Sequence, residues 1–191
     1  MRTKNNYHII TGGPGVGKTT LICELRQRGY NCVHEVARHI IKEQMETNGD
    51  ALPWLNTRKY SDLMLSYSIG DFIEYSDVDE LLFFDRGIPD TYGYEVLMKF
   101  PENAALKDAI KTYRYSPTVF ILPPWVEIYS TDDERKQDFS EALRTYEVMR
   151  NVYTELGYKL IEVPKASPAE RADFVINSVH SMYKNEKPLI K

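Results

Sequence analysis

Eight consecutive residues, Gly12-Gly13-Pro14-Gly15-Val16-Gly17-Lys18-Thr19, satisfy G-x-x-x-x-G-K-[ST] at every fixed position. Such a segment can hold phosphate. Small residues let backbone N–H groups turn inward around phosphate oxygens. A helix starting directly after them adds partial positive charge at the same point. Lys18 is placed to reach β- and γ-phosphates, and the Thr19 hydroxyl to ligate magnesium. The residues expected to line a nucleotide are Gly13, Pro14, Gly15, Val16, Gly17, Lys18, Thr19 and Thr20. A glycine-rich turn between strand and helix explains the glycines. It does not explain Lys18-Thr19 at the required place.

A second group of candidates follows the apolar run Leu81-Leu82-Phe83-Phe84. The run ends at Asp85, and in phosphate-loop proteins a strand-end aspartate sits beside the magnesium. Alone, such an aspartate equally caps the next turn. Arg86 adds a cation that can grip a phosphate or substrate oxygen bidentately, or simply pair with Asp85 at the surface. Arg38 lies three residues after Glu35 and shares a helix face with it, as an ion pair or as part of a site. Trp54, with Tyr60, Tyr67, Tyr92 and Tyr94, can stack on a planar ring, although tyrosines at helical spacing are more often packing residues. The four histidines show no metal-ligand spacing with the two cysteines.

These residues need a frame. Tyr7–Thr11, Tyr30–His34, Leu81–Phe84, Thr118–Leu122 and Tyr158–Val163 read as five strands. Leu81–Phe84 has no polar alternation, which fits a strand covered on both faces. Helices are expected over 18–28, 35–46, 57–75, 90–113 (one or two, around Pro101), 139–156 and 168–183. Ser167-Pro168-Ala169-Glu170 reads as a capping box that opens the last helix. Strands alternating with helices predict an α/β fold with a doubly wound, five-stranded, mostly parallel sheet and helices on both faces. The phosphate-loop strand should lie in its middle, with Asp85 ending the strand beside it. The polar stretch 125–138 is left as irregular chain.

Length and composition set bounds. At 191 residues, 42% hydrophobic and 27% charged, residues 1–191 form one globular domain with room for a core. A net charge of −4 argues against nucleic acid as partner. No run approaches the roughly 18 apolar residues of a membrane span, so no membrane partner is expected. Met1–Asn6 carries no apolar signal-peptide core, and Cys23 and Cys32 make no disulfide framework. A cytoplasmic protein is the expectation.

With the phosphate loop, Glu35 after the second strand and Asp85-Arg86 after the third, the sequence resembles the P-loop nucleoside and nucleotide kinases. His34-Glu35-Val36-Ala37-Arg38 is similar to a segment in the ribosylnicotinamide kinase domain of the bacterial NAD-regulating protein. Phe84-Asp85-Arg86-Gly87-Ile88-Pro89-Asp90, Pro123-Pro124-Trp125 and Thr131–Gln137 look like a group of predicted ATPases sharing that domain. The resemblance spans about residues 7–180. It implies Glu35 as general base toward a substrate hydroxyl, with Lys18, Arg86 and Arg135 as the other catalytic residues. Arg38, Arg86 and Asp90 are its candidates at the acceptor, to which the stacking chemistry of Trp54 adds one more, while Thr19 and Asp85 remain the candidates at the metal. The resemblance makes 125–138 a lid whose Arg135 and Lys136 close on the transferring phosphoryl group. A solvated helix start, with Asp132, Asp133 and Glu134 in its first turn, explains that stretch equally. Gly87 stands where an aromatic residue or serine is common in these kinases.

The function these features support is ATP-dependent, Mg2+-dependent phosphorylation of a small, nucleoside-like acceptor. The alternative is a regulatory ATP- or GTP-binding NTPase with water as its only acceptor. The sequence lacks an Asn-Lys-x-Asp guanine motif, which argues against GTP selectivity by that route.

Overall fold

The computed structural model describes residues 1–128 and 139–186. In chain order the elements are β1 (Arg2–Thr3), β2 (Tyr7–Gly12), α1 (Lys18–Gln27), β3 (Asn31–Val33), α2 (Val36–Glu46), α3 (Thr57–Glu74) and β4 (Leu82–Asp85). They continue with α4 (Ile88–Leu97), α5 (Ala104–Thr112), β5 (Tyr113–Arg114), β6 (Thr118–Leu122), α6 (Phe139–Glu155), β7 (Lys159–Glu162) and α7 (Pro168–Glu186). A short 3-10 turn, Val126–Ile128, follows β6.

Five strands form one sheet in the order β3-β4-β2-β6-β7, and every pairing in it is parallel. The expected architecture is therefore present, and its "mostly parallel" sheet is wholly parallel. The chain fills one side of β2 with β3 and β4, then crosses to the other with β6 and β7. That reversal opens a crevice at the carboxyl ends of the strands, where ligands bind in open α/β sheets. The register brings Asp85 opposite Ile10 and Leu122 opposite Gly12. β2 and β6 thus end level with each other, and β4 ends two residues short of them, beside Ile10. β1 and β5, which no sequence pattern announces, form a two-residue parallel pair off the main sheet.

The central strands carry continuous apolar runs because both faces are covered. Ile9, Phe84, Val119 and Ile121 pack toward α3–α6, around Leu65, Phe72, Tyr146 and Met149. Ile10, Phe83, Phe120 and Leu122 point the other way, onto Leu21 and Leu25 of α1 and Val175 and Val179 of α7. A third cluster, Ile40, Tyr60 and Met64, fastens α2 to α3. The helix starts are chemically marked. Asn56 accepts from Lys59 N–H, and Asn103 from Leu106 N–H. Ser167 and Glu170 form the expected reciprocal box, through Glu170 N–H to Ser167 Oγ and Ser167 N–H to Glu170 Oε2.

Candidate active site

The phosphate loop leaves β2 at Gly12 and enters α1 at Lys18. Gly15 and Gly17 hold left-handed φ values of 72° and 80°, which glycine adopts without steric cost. A Cβ on Gly17 would also lie 2.7 Å from Arg171 Nη1. Arg171, in the first turns of α7, is 3% exposed. Its Nη1 donates to the carbonyls of Val16 (3.2 Å) and Gly17 (3.3 Å), and its Nη2 to Thr20 Oγ1 (3.1 Å). In a trans peptide the C=O and the following N–H point opposite ways. Holding those two carbonyls therefore turns the N–H groups of Gly17 and Lys18 away from Arg171. No sequence motif marked this residue.

Beyond the loop, charges converge. Lys18 Nζ lies 2.8 Å from Asp85 Oδ1 and 3.7 Å from Glu35 Oε2. Arg86 Nε donates to Glu35 Oε1 at 2.7 Å, and Arg38 Nε to Glu35 Oε2 at 3.2 Å. Burial alone would push the Glu35 carboxyl up. Lys18, then Arg86 and Arg38, outweigh it and hold the group well below the usual carboxylate range. Arg86 has φ 72°, unusual for a residue with a Cβ, and such strain concentrates at functional sites. Its Nη1 reaches the Gly12 carbonyl at 3.0 Å and Asp90 Oδ1 at 3.2 Å. Four sequence-flagged residues, Lys18, Glu35, Asp85 and Arg86, thus form one connected cluster at the switch point.

Other candidates fare differently. Asp90, expected at the acceptor, is 4% exposed. It accepts from Thr11 Oγ1 (2.5 Å), Gly87 N–H (2.9 Å) and Tyr153 OH (2.6 Å) besides Arg86. It anchors Arg86 and caps α4, and it also belongs to the lining of the crevice beside the charge cluster. Trp54 is 65% exposed and lies outside the lining of the crevice described below. Tyr60 is a packing residue, edge-on to Tyr94 at 5.5 Å. Arg38 keeps its Glu35 contact but faces solvent. Thr19 and Thr20 are exposed at the mouth of the loop. Of the expected lid, 129–138, with Arg135 and Lys136, lies outside the described residues. Trp125 stands at its start, its ring centroid 6.0 Å from the Arg171 guanidinium.

The Thr19 hydroxyl and the Asp85 carboxylate fit a magnesium ion. Asp85 Oδ1 is buried and touches Lys18 ionically, yet makes no directed hydrogen bond, so it has spare acceptor capacity. Among the described residues no cluster of three or more His, Cys, Asp or Glu forms a cage. Magnesium is commonly held by one or two protein oxygens plus phosphates.

A crevice opens beside the charge cluster, between α2, α3 and the start of α4. Val36, Ala37, Met64 and Phe84 form apolar walls, and Ser68, Asp71 and His34 add polar groups. Met64, Ser68 and Asp71 lie at i, i+4 and i+7 on one face of α3.

A family model described as "AAA domain" matches residues 7–171. No curated protein matches the sequence. The fold is similar to that of the NadR protein in complex with NR (TM-score 0.69, 17% identity), covering 92% of this chain and 50% of that one. The chain thus spans about half the length of NadR. It is also similar to deoxyadenosine kinase from M. mycoides (TM-score 0.62, 15% identity; 92% and 99% covered). Shikimate kinase from Acinetobacter baumannii, in complex with shikimate, is a third (TM-score 0.56, 17% identity; 92% and 93% covered). Among the described residues, no helix is long and apolar enough to cross a membrane.

Proposed function

The chain belongs to the AAA domain family, and from that premise we propose that it is an ATP- and magnesium-dependent kinase of a small, nucleoside-like acceptor. One observation carries the proposal. Glu35 stands between the phosphate-loop lysine, 3.7 Å away, and Arg86, 2.7 Å away, while its neighbours His34 and Val36 line the crevice. A carboxylate so placed stands within reach of both the phosphate loop and the Arg86 guanidinium, where a general base toward an acceptor hydroxyl would have to be.

In the proposed reaction an acceptor hydroxyl oxygen attacks the γ-phosphorus of ATP. The bond from that phosphorus to the β–γ bridging oxygen breaks, and ADP leaves. Glu35 takes the hydroxyl proton. Lys18 and the N–H groups of the loop hold the phosphates, and Arg86 positions Glu35. Magnesium, held by Thr19 and Asp85 with the phosphates, would neutralise phosphate charge when bound. Arg135 is proposed to close on the phosphoryl group from the lid.

The test is ADP release from ATP and magnesium across a panel of small hydroxyl-bearing acceptors, with GTP compared. Stimulation by at least one acceptor is the expected result. Slow hydrolysis that no acceptor stimulates would move the reading to a regulatory NTPase.

A further inference from the structure

The Asp90 carboxylate holds more hydrogen-bond donors than its place in the chain requires. As the third residue of α4 it can cap the helix with one bond, the one it accepts from Gly87 N–H at 2.9 Å. Two further donors come from other elements. Thr11 Oγ1, on β2, donates to Oδ1 at 2.5 Å, and Tyr153 OH, on α6, donates to Oδ2 at 2.6 Å. Thr11 and Tyr153 are fully buried, and Asp90 nearly so. Burial, then the charge of Asp90, raises the Tyr153 phenol well above its ordinary value, so it stays a donor. Arg86 Nη1, 3.2 Å from Oδ1, completes the set. These donors fill the roughly four acceptor sites of a carboxylate. A group held from every side cannot turn, and it offers Arg86 one fixed place.

We infer that Asp90, oriented by Thr11 and Tyr153, is a positioning residue for the proposed base: it fixes the Arg86 guanidinium, and Arg86 Nε fixes Glu35 Oε1. Asp90 then acts through Arg86 rather than on the acceptor. The contacts run from Tyr153 through Asp90 and Arg86 to Glu35, and so tie α6 to the start of α2. The inference rests on the kinase reading above and names what holds its base in place.

The physical reason is that neither Glu35 nor Arg86 is held by its own stretch of chain. Glu35 immediately precedes α2, yet its side chain makes no capping bond to that helix. Its directed bonds come from Arg86 and from the solvent-facing Arg38, which leaves Arg86 as the buried anchor. Arg86 itself has a backbone at φ 72° that a residue with a Cβ adopts only when its surroundings impose it. Its guanidinium is fixed from the protein side by the Gly12 carbonyl and by Asp90. A general base must meet the acceptor proton in one geometry, and a misplacement of about 1 Å can cost about 10²-fold in rate. Loosening Asp90 therefore reaches the chemical step although Asp90 touches no reacting atom.

The experiment reads the anchor and the reaction separately on the full chain. In protein labelled with 15N-arginine, the Arg86 Nε–H signal is assigned by its loss in Arg86→Lys. Its exchange with water reports the bond to Glu35, and backbone N–H groups of β2 and β4 report general stability. Tyr153→Phe removes one hydroxyl and keeps the ring, and Asp90→Asn removes the charge. Both should speed exchange at Arg86 Nε–H by at least about tenfold beyond any change at the reference groups, the scale of one lost hydrogen bond to a charged group. ADP release from ATP and magnesium is followed with adenosine, uridine and shikimate as probes. With any probe that stimulates it, Tyr153→Phe should lower kcat by about tenfold and leave the KM for ATP unchanged. A purely structural role would speed Arg86 and the reference groups alike and leave kcat per folded molecule as it was. If Asp90→Asn does not fold, Tyr153→Phe carries the test. Exchange at Arg86 that only tracks the reference groups overturns the inference, and with acceptor-stimulated ADP release the kinase reading survives it. Selective exchange with wild-type kcat overturns it as well. Selective exchange with no probe stimulating ADP release supports the anchor at Glu35 and removes the kinase reading.

Discussion

Lys18 Nζ is shared by two largely buried carboxylates, Asp85 at 2.8 Å and Glu35 at 3.7 Å, so the cation of the phosphate loop also holds the acidic half of the site together. Nucleotide phosphates must compete with Asp85 and Glu35 for it. Lysine in such a position has two roles, and they separate experimentally.

Lys18→Met should weaken ATP binding by about 100-fold, because charge-assisted hydrogen bonds contribute about 1.5–3 kcal/mol each. It should also destabilise the fold by about 3 kcal/mol, because it leaves buried carboxylates short of a partner. Adding Asp85→Asn should recover much of the stability and none of the affinity. Calorimetry and denaturant unfolding read the two effects. Unchanged ATP affinity in the single variant would refute the phosphate-loop assignment.

Glu35→Gln should cut acceptor-dependent turnover by about 10²–10⁴, the range for loss of a general base. Nucleotide affinity should not fall, and should rise slightly, because the phosphates then compete with one carboxylate fewer for Lys18. The low proton affinity of Glu35 does not disqualify it. Phosphates that draw Lys18 away remove its strongest cationic neighbour and raise its basicity where the acceptor binds. Equal ADP-release rates for wild type and variant, with a true acceptor, would eliminate Glu35 as the base.

Arg171→Met should raise the Kd for ATP by about tenfold while kcat changes less, since the guanidinium orients loop N–H groups and touches no acceptor. Arg171→Lys should not restore affinity, because an ammonium cannot span Val16 O, Gly17 O and Thr20 Oγ1 as the planar fork does. A folded Arg171→Met protein with wild-type Kd would remove the bracing role.

The contrast between Lys18 and Arg171 shows what was readable in the sequence. Lys18, Asp85 and Arg86 sit in a motif or at the end of an apolar strand, where chain punctuation announces them. Glu35 needed the family resemblance as well. The sheet was readable because strands buried on both faces lose their alternation, as Leu82–Phe84 does. Arg171 sits at the start of α7 and Ser68 and Asp71 within α3, where a polar residue looks like ordinary helix surface until its neighbours are known. Trp54 shows the converse limit. Its stacking chemistry is real, but residue type does not say where a loop will carry it. Arg86 at φ 72° was invisible too, because nothing local requires a left-handed arginine; its bonds to Gly12, Glu35 and Asp90 do.

His8 gives the last prediction. It lies in the central strand β2, 1% exposed, among the rings of Phe83, Phe120 and Tyr183. Neither ring nitrogen has a hydrogen-bond partner among the described residues. Burial lowers its pKa from 6.5 to about 4, so the folded protein holds it neutral. The unfolded chain binds a proton at His8 below about pH 6.5, and the folded chain only near pH 4. Between those values the unfolded state carries more protons, so stability rises with pH there and is lost as pH falls. At about 1.4 kcal/mol per pKa unit, the loss attributable to His8 approaches about 3 kcal/mol near pH 4. Asp71 works the other way: its carboxyl is raised to about 6, so the folded state takes up that proton first and gains stability as pH falls. The comparison must therefore be between wild type and His8→Leu, in which Asp71 cancels. His8→Leu should be more stable than wild type, and the gap should widen steadily from pH 7 to pH 4. Urea unfolding of both proteins across that range measures it. Curves that stay parallel in pH would show that His8 gains no proton on unfolding, and the buried neutral histidine would have to be abandoned.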